Sequence, residues 1–198
     1  VEEKPIEETD VAVLIDRFSY GRCVDMSVFE RNREAAESEC KRIIFCKNTD
    51  KLAIFTNTGQ MHLVKVLDLP QGKFRDKGQP LDNVSNFDSG SEREIYIEAL
   101  GNLKEKKLIF GTKTGMLKVV AGSEFIVGKR TTAATKLAEG DELLTVAPLE
   151  EEETLVMQTA GNVFLRIDAA TIPEKKKGAV GVRGIRLETG DLLEEIHV

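Results

Sequence analysis

KLAIFTNTGQMHLV (Lys51–Val64) sets two apolar runs on either side of Asn57-Thr58-Gly59. The glycine can take the positive φ that a tight hairpin needs, and the flanking apolar and β-branched residues favour strands, so the segment predicts a β-hairpin. The same order of strand, glycine-containing turn and strand returns in VAVLIDRFSYGRCV (Val11–Val24), KLIFGTKTGMLKVV (Lys107–Val120) and TLVMQTAGNVFLRI (Thr154–Ile167). The turn glycines Gly21, Gly59, Gly115 and Gly161 are 38, 56 and 46 residues apart, so the unit persists while its loops vary. One unit repeated in this way is the sequence signature of a repeat architecture.

An apolar run also precedes each of the last three hairpins: Arg42–Cys46, Glu94–Ile97 and Glu142–Val146. Three strands per unit follow, and the first unit lacks its leading strand because only the acidic stretch VEEKPIEETD (Val1–Asp10) stands before it. The final run, Leu192–Val198, is strand-like with nothing after it. The economical expectation is that it completes the first unit and closes a ring, which would remove exposed strand edges. A second echo, KLAEGDELL (Lys136–Leu144) against RLETGDLL (Arg186–Leu193), recurs at an offset of 50 residues. The expected organisation is an acidic linker over residues 1–10 and one all-β domain over residues 11–198, together a piece of a longer protein.

The 198 residues are 41% hydrophobic and 31% charged, enough apolar mass for a core. No stretch approaches the ~20 apolar residues of a membrane span, and the N-terminus lacks the basic flank and apolar run of a signal peptide. Cys23, Cys40 and Cys46 are odd in number and lack C-x-x-C spacing, which fits a reducing cytoplasm better than a disulfide framework or a zinc site. His62 and His197 are the only histidines, so neither a histidine-centred triad nor a transition-metal site is indicated.

The net charge of −6 conceals a basic body. Val1–Asp10, Glu150–Glu153 and Glu188–Val198 each carry −4, leaving +6 on the remainder. The cations recur in register: 14 residues after Gly59, Gly115 and Gly161 stand Lys73, Lys129 and Lys175, in the stretches GKFRDKG, GKRTTAAT and EKKKGAVGVRG. Repeat symmetry would set these clusters on one rim, suited to the evenly spaced phosphates of duplex DNA. The residues expected to carry binding are Lys73, Arg75, Lys77, Lys129, Arg130, Lys175, Lys176, Lys177, Arg183 and Arg186, with Lys65, Lys118 and Arg166 adding to the same or an adjacent face. With no Trp, and with most Phe inside apolar runs, stacking platforms for single strands are not evident, and no recognition helix is visible.

Chemistry is not indicated. There is no G-x-x-x-x-G-K-[ST] loop, and Gly178, Gly181 and Gly184 lack the strand-then-helix setting of a phosphate loop. Glu150–Glu153 reads as a solvated hairpin tip, without the ligand spacing of a calcium loop. No cofactor is called for.

IFTNTGQMHLVKVLDLP (Ile54–Pro70) and GVRGIRLETGD (Gly181–Asp191) resemble the C-terminal domain of the A subunit of bacterial type IIA topoisomerases, DNA gyrase and topoisomerase IV. The resemblance covers nearly the whole chain after residue 10. It implies a β-pinwheel, a propeller-like ring of four-stranded blades, here about four, that exchange strands between neighbours. It further implies duplex DNA binding around a basic outer rim, with bending or wrapping that presents DNA for strand passage. The implied partners, in the bacterial cytoplasm at the nucleoid, are the catalytic core of the parent topoisomerase's A subunit, and its ATPase B subunit. The family's catalytic tyrosine lies outside the matching region, and Tyr20 and Tyr96 read as packing or surface residues, so the fragment itself is not expected to cut DNA. Gyrase follows its first unit with Gln-Arg-Arg-Gly-Gly-Lys-Gly, where this chain has Glu30-Arg31-Asn32-Arg33-Glu34-Ala35-Ala36, and it has more units. The 14-residue count from Gly21 lands on Ala35, so the first unit also breaks the cationic register, and this together with the missing box favours a role without strong gyrase-type wrapping. A propeller-like scaffold contacting proteins through its acidic patches is the alternative.

Overall fold

The computed structural model describes residues 3–150 and 153–198. The first two residues of the expected linker and the middle of the acidic run at Glu150–Glu153 lie outside the described residues. The strands are β1 (Asp10–Asp16), β2 (Tyr20–Asp25), β3 (Cys40–Lys47), β4 (Lys51–Thr56), β5 (Gln60–Lys65), β6 (Gln79–Pro80), β7 (Glu94–Ala99) and β8 (Lys107–Thr112). They continue as β9 (Met116–Ala121), β10 (Thr131–Ala133), β11 (Leu143–Pro148), β12 (Thr154–Thr159), β13 (Phe164–Asp168), β14 (Val182–Arg183) and β15 (Leu193–His197).

All four expected hairpins form, each as the centre of its own sheet: β3-β1-β2-β6, β10-β5-β4-β7, β11-β8-β9-β14 and β13-β12-β15. The fold is the expected propeller-like β architecture of four blades, with one correction of assignment. The runs Arg42–Cys46, Glu94–Ile97 and Glu142–Val146 do not lead the hairpins that follow them. They fall in β3, β7 and β11, which pair back onto β1, β4 and β8 of the preceding unit. The C-terminal β15 likewise pairs with β12 and completes the fourth sheet, not the first, so the sheets do not close into a ring. Pairing back onto β1, β4 and β8 spans a longer loop than pairing with the following hairpin would, so loop closure does not decide the assignment, and composition is blind to it.

Strand exchange occurs at the opposite edges. The short strands β6, β10 and β14 each leave the loop after one hairpin and pair with the second strand of the hairpin before it, β2, β5 and β9. Strands β3, β7, β11 and β15 pack in succession and line the middle of the arc, so the exchanged strands form its perimeter.

The turn register is also corrected. The left-handed turn residues are Gly59 (φ 80°), Gly115 (φ 87°), Ser19 (φ 61°) and Asn162 (φ 61°). Gly21 and Gly161 sit beside the true turn positions, because serine and asparagine take over the glycine's conformation there. The two GD echoes have one structural role. Asp141 accepts the Thr114 N–H at 3.1 Å and Asp191 that of Gly161 at 3.0 Å, so each carboxylate pins the tip of the third or fourth hairpin.

The apolar runs are continuous because most central strands are buried on both faces. Along β4, Leu52 and Ile54 face the first blade while Ala53 and Phe55 face the third. A third cluster, around Ile109, Leu155 and Met157, joins the last two blades. The outward face of the first blade, Ala12 and Leu14, is covered by two short helices, α1 (Met26–Arg31) and α2 (Arg33–Glu39), through Phe29 and Ala36. These helices occupy the stretch where gyrase has its glycine-rich box. The Ala- and Glu-rich sequence favours helix, and the open arc leaves an apolar face for it to cover.

The cysteines are free thiols. Burial pushes Cys23 up to about 11 and Cys46 up to about 12. Because these pKa values are raised above those of the unfolded chain, the associated stability is present below about pH 9 and is lost as pH rises toward the folded values. At pH 8 both thiols should therefore alkylate slowly in the folded chain and rapidly in denaturant. Equal rates in a timed iodoacetamide quench would contradict their burial.

Candidate nucleic-acid interface

The three basic stretches are built alike. Each enters by a backbone contact to the second strand of the preceding hairpin: the N–H groups of Cys23, Leu63 and Val119 donate to the carbonyls of Pro70, Arg130 and Pro173 at 2.9, 2.8 and 3.1 Å. Each leaves through β6, β10 or β14, after which the N–H groups of Leu81, Ala134 and Gly184 donate to the turn carbonyls of Ser19, Gly59 and Gly115 at 3.0, 2.8 and 2.8 Å. Leu81, Ala134 and Ile185 then bury themselves beneath the neighbouring hairpin. The first and third loops are thus tethered at both ends with most of their cations between the tethers, whereas in the second the tethers fall at Arg130 and Ala134 and Lys129 precedes them.

Lys73, Arg75, Lys77, Lys129, Arg130, Lys175, Lys176, Arg183 and Arg186 are exposed, and among the described residues none of them joins an ion pair. The Asp76 carboxylate accepts the Lys73 N–H at 2.9 Å, which folds the first loop on itself and leaves the Lys73 side chain outward. Lys65 and Arg130 line one groove of about 330 Å³ together with Lys51 and Asp68, so these cations meet although they are far apart in sequence.

Three expected residues behave differently. Lys118 is 1% exposed, points inward and donates to three loop carbonyls, so it cannot reach a phosphate. Lys177 is half-buried, its backbone N–H donating to the Glu124 carboxylate at 3.2 Å and its Nζ to the Glu124 carbonyl at 3.3 Å. Arg166 stands on β13, which has no further strand beyond it among the described residues, away from the looped geometry of the other three blades. The strand alternation that sends Lys118 inward is a tertiary matter. Its position between the buried Leu117 and Val119 is the local sign of it.

With the structural turn positions, the 14-residue count runs from Ser19 to Arg33, from Gly59 to Lys73, from Gly115 to Lys129 and from Asn162 to Lys176. The first unit therefore keeps a cation at the shared offset, where the count from Gly21 had placed Ala35. Arg33 nonetheless lies on α2 and is engaged by Glu30 at 2.7 Å and Glu37 at 3.7 Å, so its charge is locally answered. Among the described residues no group of three or more His, Cys, Asp or Glu is placed to hold a metal ion, and no helix is long and apolar enough to cross a membrane.

An arc of strand-exchanged blades whose perimeter carries three tethered basic loops defines a β-pinwheel with a cationic rim. A family model described as "DNA gyrase C-terminal domain, beta-propeller" matches residues 106–150 and 153–198. The chain is 27% identical to the DNA gyrase A protein of Lawsonia intracellularis over 96% of its own length and 24% of that protein, and 26% identical to that of Escherichia coli K12 over 99% and 24%. It superposes on the crystal structure of the C-terminal domain of DNA topoisomerase IV with TM-score 0.85 at 20% identity, covering 97% of this chain and 62% of that one. On the E. coli ParC C-terminal domain the TM-score is 0.75 at 16% identity, covering 95% and 78%. The second half of the chain matches the DNA gyrase C-terminal domain family, and over nearly its whole length the chain is similar to the A subunits of bacterial DNA gyrase and to the C-terminal domain of topoisomerase IV. It spans about a quarter of the length of the curated relatives it matches.

Proposed function

We propose that this domain binds duplex DNA along its outer rim without strong sequence preference, and bends it to present a segment for strand passage by a parent type IIA topoisomerase. The observation that carries this reading is a basic loop anchored at the same two hairpin positions in three blades, each time setting on the perimeter cations that are exposed and, among the described residues, unpaired. Backbone phosphates are evenly spaced and identical from sequence to sequence, so a row of outward lysines and arginines suits them, and with no groove-reading helix among the described residues base identity is left unread. The parent is an ATP-dependent isomerase. At the bacterial nucleoid the domain works beside that enzyme's breakage-reunion core and its ATPase B subunit. The domain itself does not cut DNA. Strong gyrase-type wrapping is not part of this reading, because α1 and α2, with Arg33 held by two glutamates, stand where the glycine-rich box would be.

The test is fluorescence anisotropy of a labelled duplex across a range of salt concentrations, with an unrelated duplex of equal length as competitor. If some six phosphates are neutralised, log affinity falls with log salt at a slope of roughly −5, and both duplexes compete equally. No binding at low salt would reject the rim as a DNA site and favour a protein-contacting scaffold.

A further inference from the structure

Three residues occupy one register position on the second strand of the first three hairpins. Arg22, His62 and Lys118 each stand three residues past the left-handed turn residues Ser19, Gly59 and Gly115. The residues just before them, Gly21, Met61 and Leu117, pair with the matching positions Ile15, Phe55 and Gly111 across each hairpin. Each of the three reaches sideways into the basic loop arriving from the following unit. Arg22 Nε donates to the Phe74 carbonyl at 3.1 Å while its guanidinium lies 5.3 Å from the centre of the Phe74 ring. His62 Nδ1 hydrogen-bonds the Thr131 hydroxyl at 2.9 Å, and its Nε2 is fixed by Glu92 at 2.6 Å. Lys118 Nζ donates to the carbonyls of Lys176, Lys177 and Ala179 at 3.3, 2.9 and 2.5 Å, with the Phe110 ring 5.5 Å away. The fourth hairpin, which receives no such loop among the described residues, has Leu165 at this position.

The recurrence is of role, not of residue type. An arginine, a histidine and a lysine share little beyond ring or chain nitrogens able to hydrogen-bond a neighbouring loop, and in the blade without a loop the nitrogen is gone. We propose that Arg22, His62 and Lys118 are positioning residues, each clasping from beneath the basic loop of the next unit so that its lysines and arginines stay turned outward. The inference rests on the reading of the rim as a DNA site, and it adds how that site is held in shape.

Lys118 shows the physical logic most plainly. Three carbonyls converging on one buried ammonium point the inner side of the Lys176–Ala179 backbone down and leave the Lys175 and Lys176 side chains on the solvent side. A buried ammonium with three carbonyl partners has all its donors used, and removing it would leave those carbonyls facing an apolar floor. The carboxylate of Glu124 is the charge closest in role, since it also holds the Lys177 N–H, and Thr135 Oγ1 supports the Ala179 carbonyl at 3.5 Å. Burial pulls the Lys118 pKa down to about 8, with Glu124 opposing, so the site holds its cation against a real desolvation cost.

The test compares wild type, Lys118→Met, the double variant Lys175→Ala with Lys176→Ala, and the triple combination, all on this same chain. Methionine keeps the buried volume and removes the donors. Amide exchange is followed at Lys177 and Ala179, whose N–H groups are held by Glu124 and by the Lys176 carbonyl, and at strand β4, in another blade, as an internal control. Lys118→Met should speed exchange at the two loop amides by roughly 10- to 100-fold, the loss expected when hydrogen bonds to a charged group are removed, with β4 unchanged. DNA affinity should fall in Lys118→Met, and the triple variant should bind no more weakly than the double, because a clasp matters only through the lysines it aims. Unchanged loop exchange, or losses that simply add, would overturn the proposal, as would exchange rising equally in β4. If the double variant itself leaves DNA affinity untouched, it is the DNA reading of the rim that fails, while the exchange arm still decides whether Lys118 holds the loop.

Discussion

Replacing Lys175 and Lys176 together with alanine should weaken duplex binding by roughly 10- to 100-fold near 0.1 M salt and make the salt slope shallower by about 2, since each phosphate contact contributes about −0.9 to that slope. Both side chains are exposed, and among the described residues neither is engaged by a carboxylate, so their charge is available to a phosphate and their removal opens no cavity. Lys177 differs in kind. It is half-buried against Glu124, so Lys177→Ala should cost loop order more than contact charge. The slope separates the two effects, because a lost phosphate contact changes it and a general weakening of the fold does not. Anisotropy titrations at four or five salt concentrations, with thermal melts of each variant alongside, supply both readouts. A double variant with wild-type affinity and slope would remove this loop from the interface.

The largest stability effect is expected at Phe55. Its ring is fully buried between the second and third blades, edge-on to Phe125 at 5.1 Å and to Phe110 at 6.0 Å, with Tyr96 6.0 Å away. Phe55→Ala removes the centre of that cluster, and the facing strands are held by their sheet hydrogen bonds and cannot close the gap. The cost should be about 3–5 kcal/mol, a large share of what holds a domain of this size. Phe55→Leu, which keeps most of the volume, should cost distinctly less. Urea denaturation with a fixed m-value reads the difference, and a loss below about 1 kcal/mol for the alanine variant would mean that the blades do not pack as described.

Much of the fold was legible because its unit is local. An apolar strand, a turn residue able to take positive φ and a second strand lie within about fourteen residues, and the hairpin they make needs no distant partner to be recognised. The shared offset of Lys73 and Lys129 from their turn glycines was legible for the same reason: the repeat carries its loop with it. The turn was misplaced at Gly21 and Gly161 because Ser19 and Asn162 can adopt the glycine's backbone, and a count based on glycine alone then shifts.

What the chain decides by itself is therefore its all-β repeat, the site of each basic loop along it and the lack of catalytic machinery motifs. Only the tertiary structure decides which hairpin each apolar run completes, that β15 seals the fourth sheet and leaves the arc open, and that Lys118 lies inside while Lys175 and Lys176 lie outside. The physical reason is the range of the forces involved. Turn chemistry and strand alternation act over a few residues, whereas edge pairing and the burial of a cation depend on which backbone groups arrive from far along the chain, as the Lys118 contacts to Lys176, Lys177 and Ala179 do.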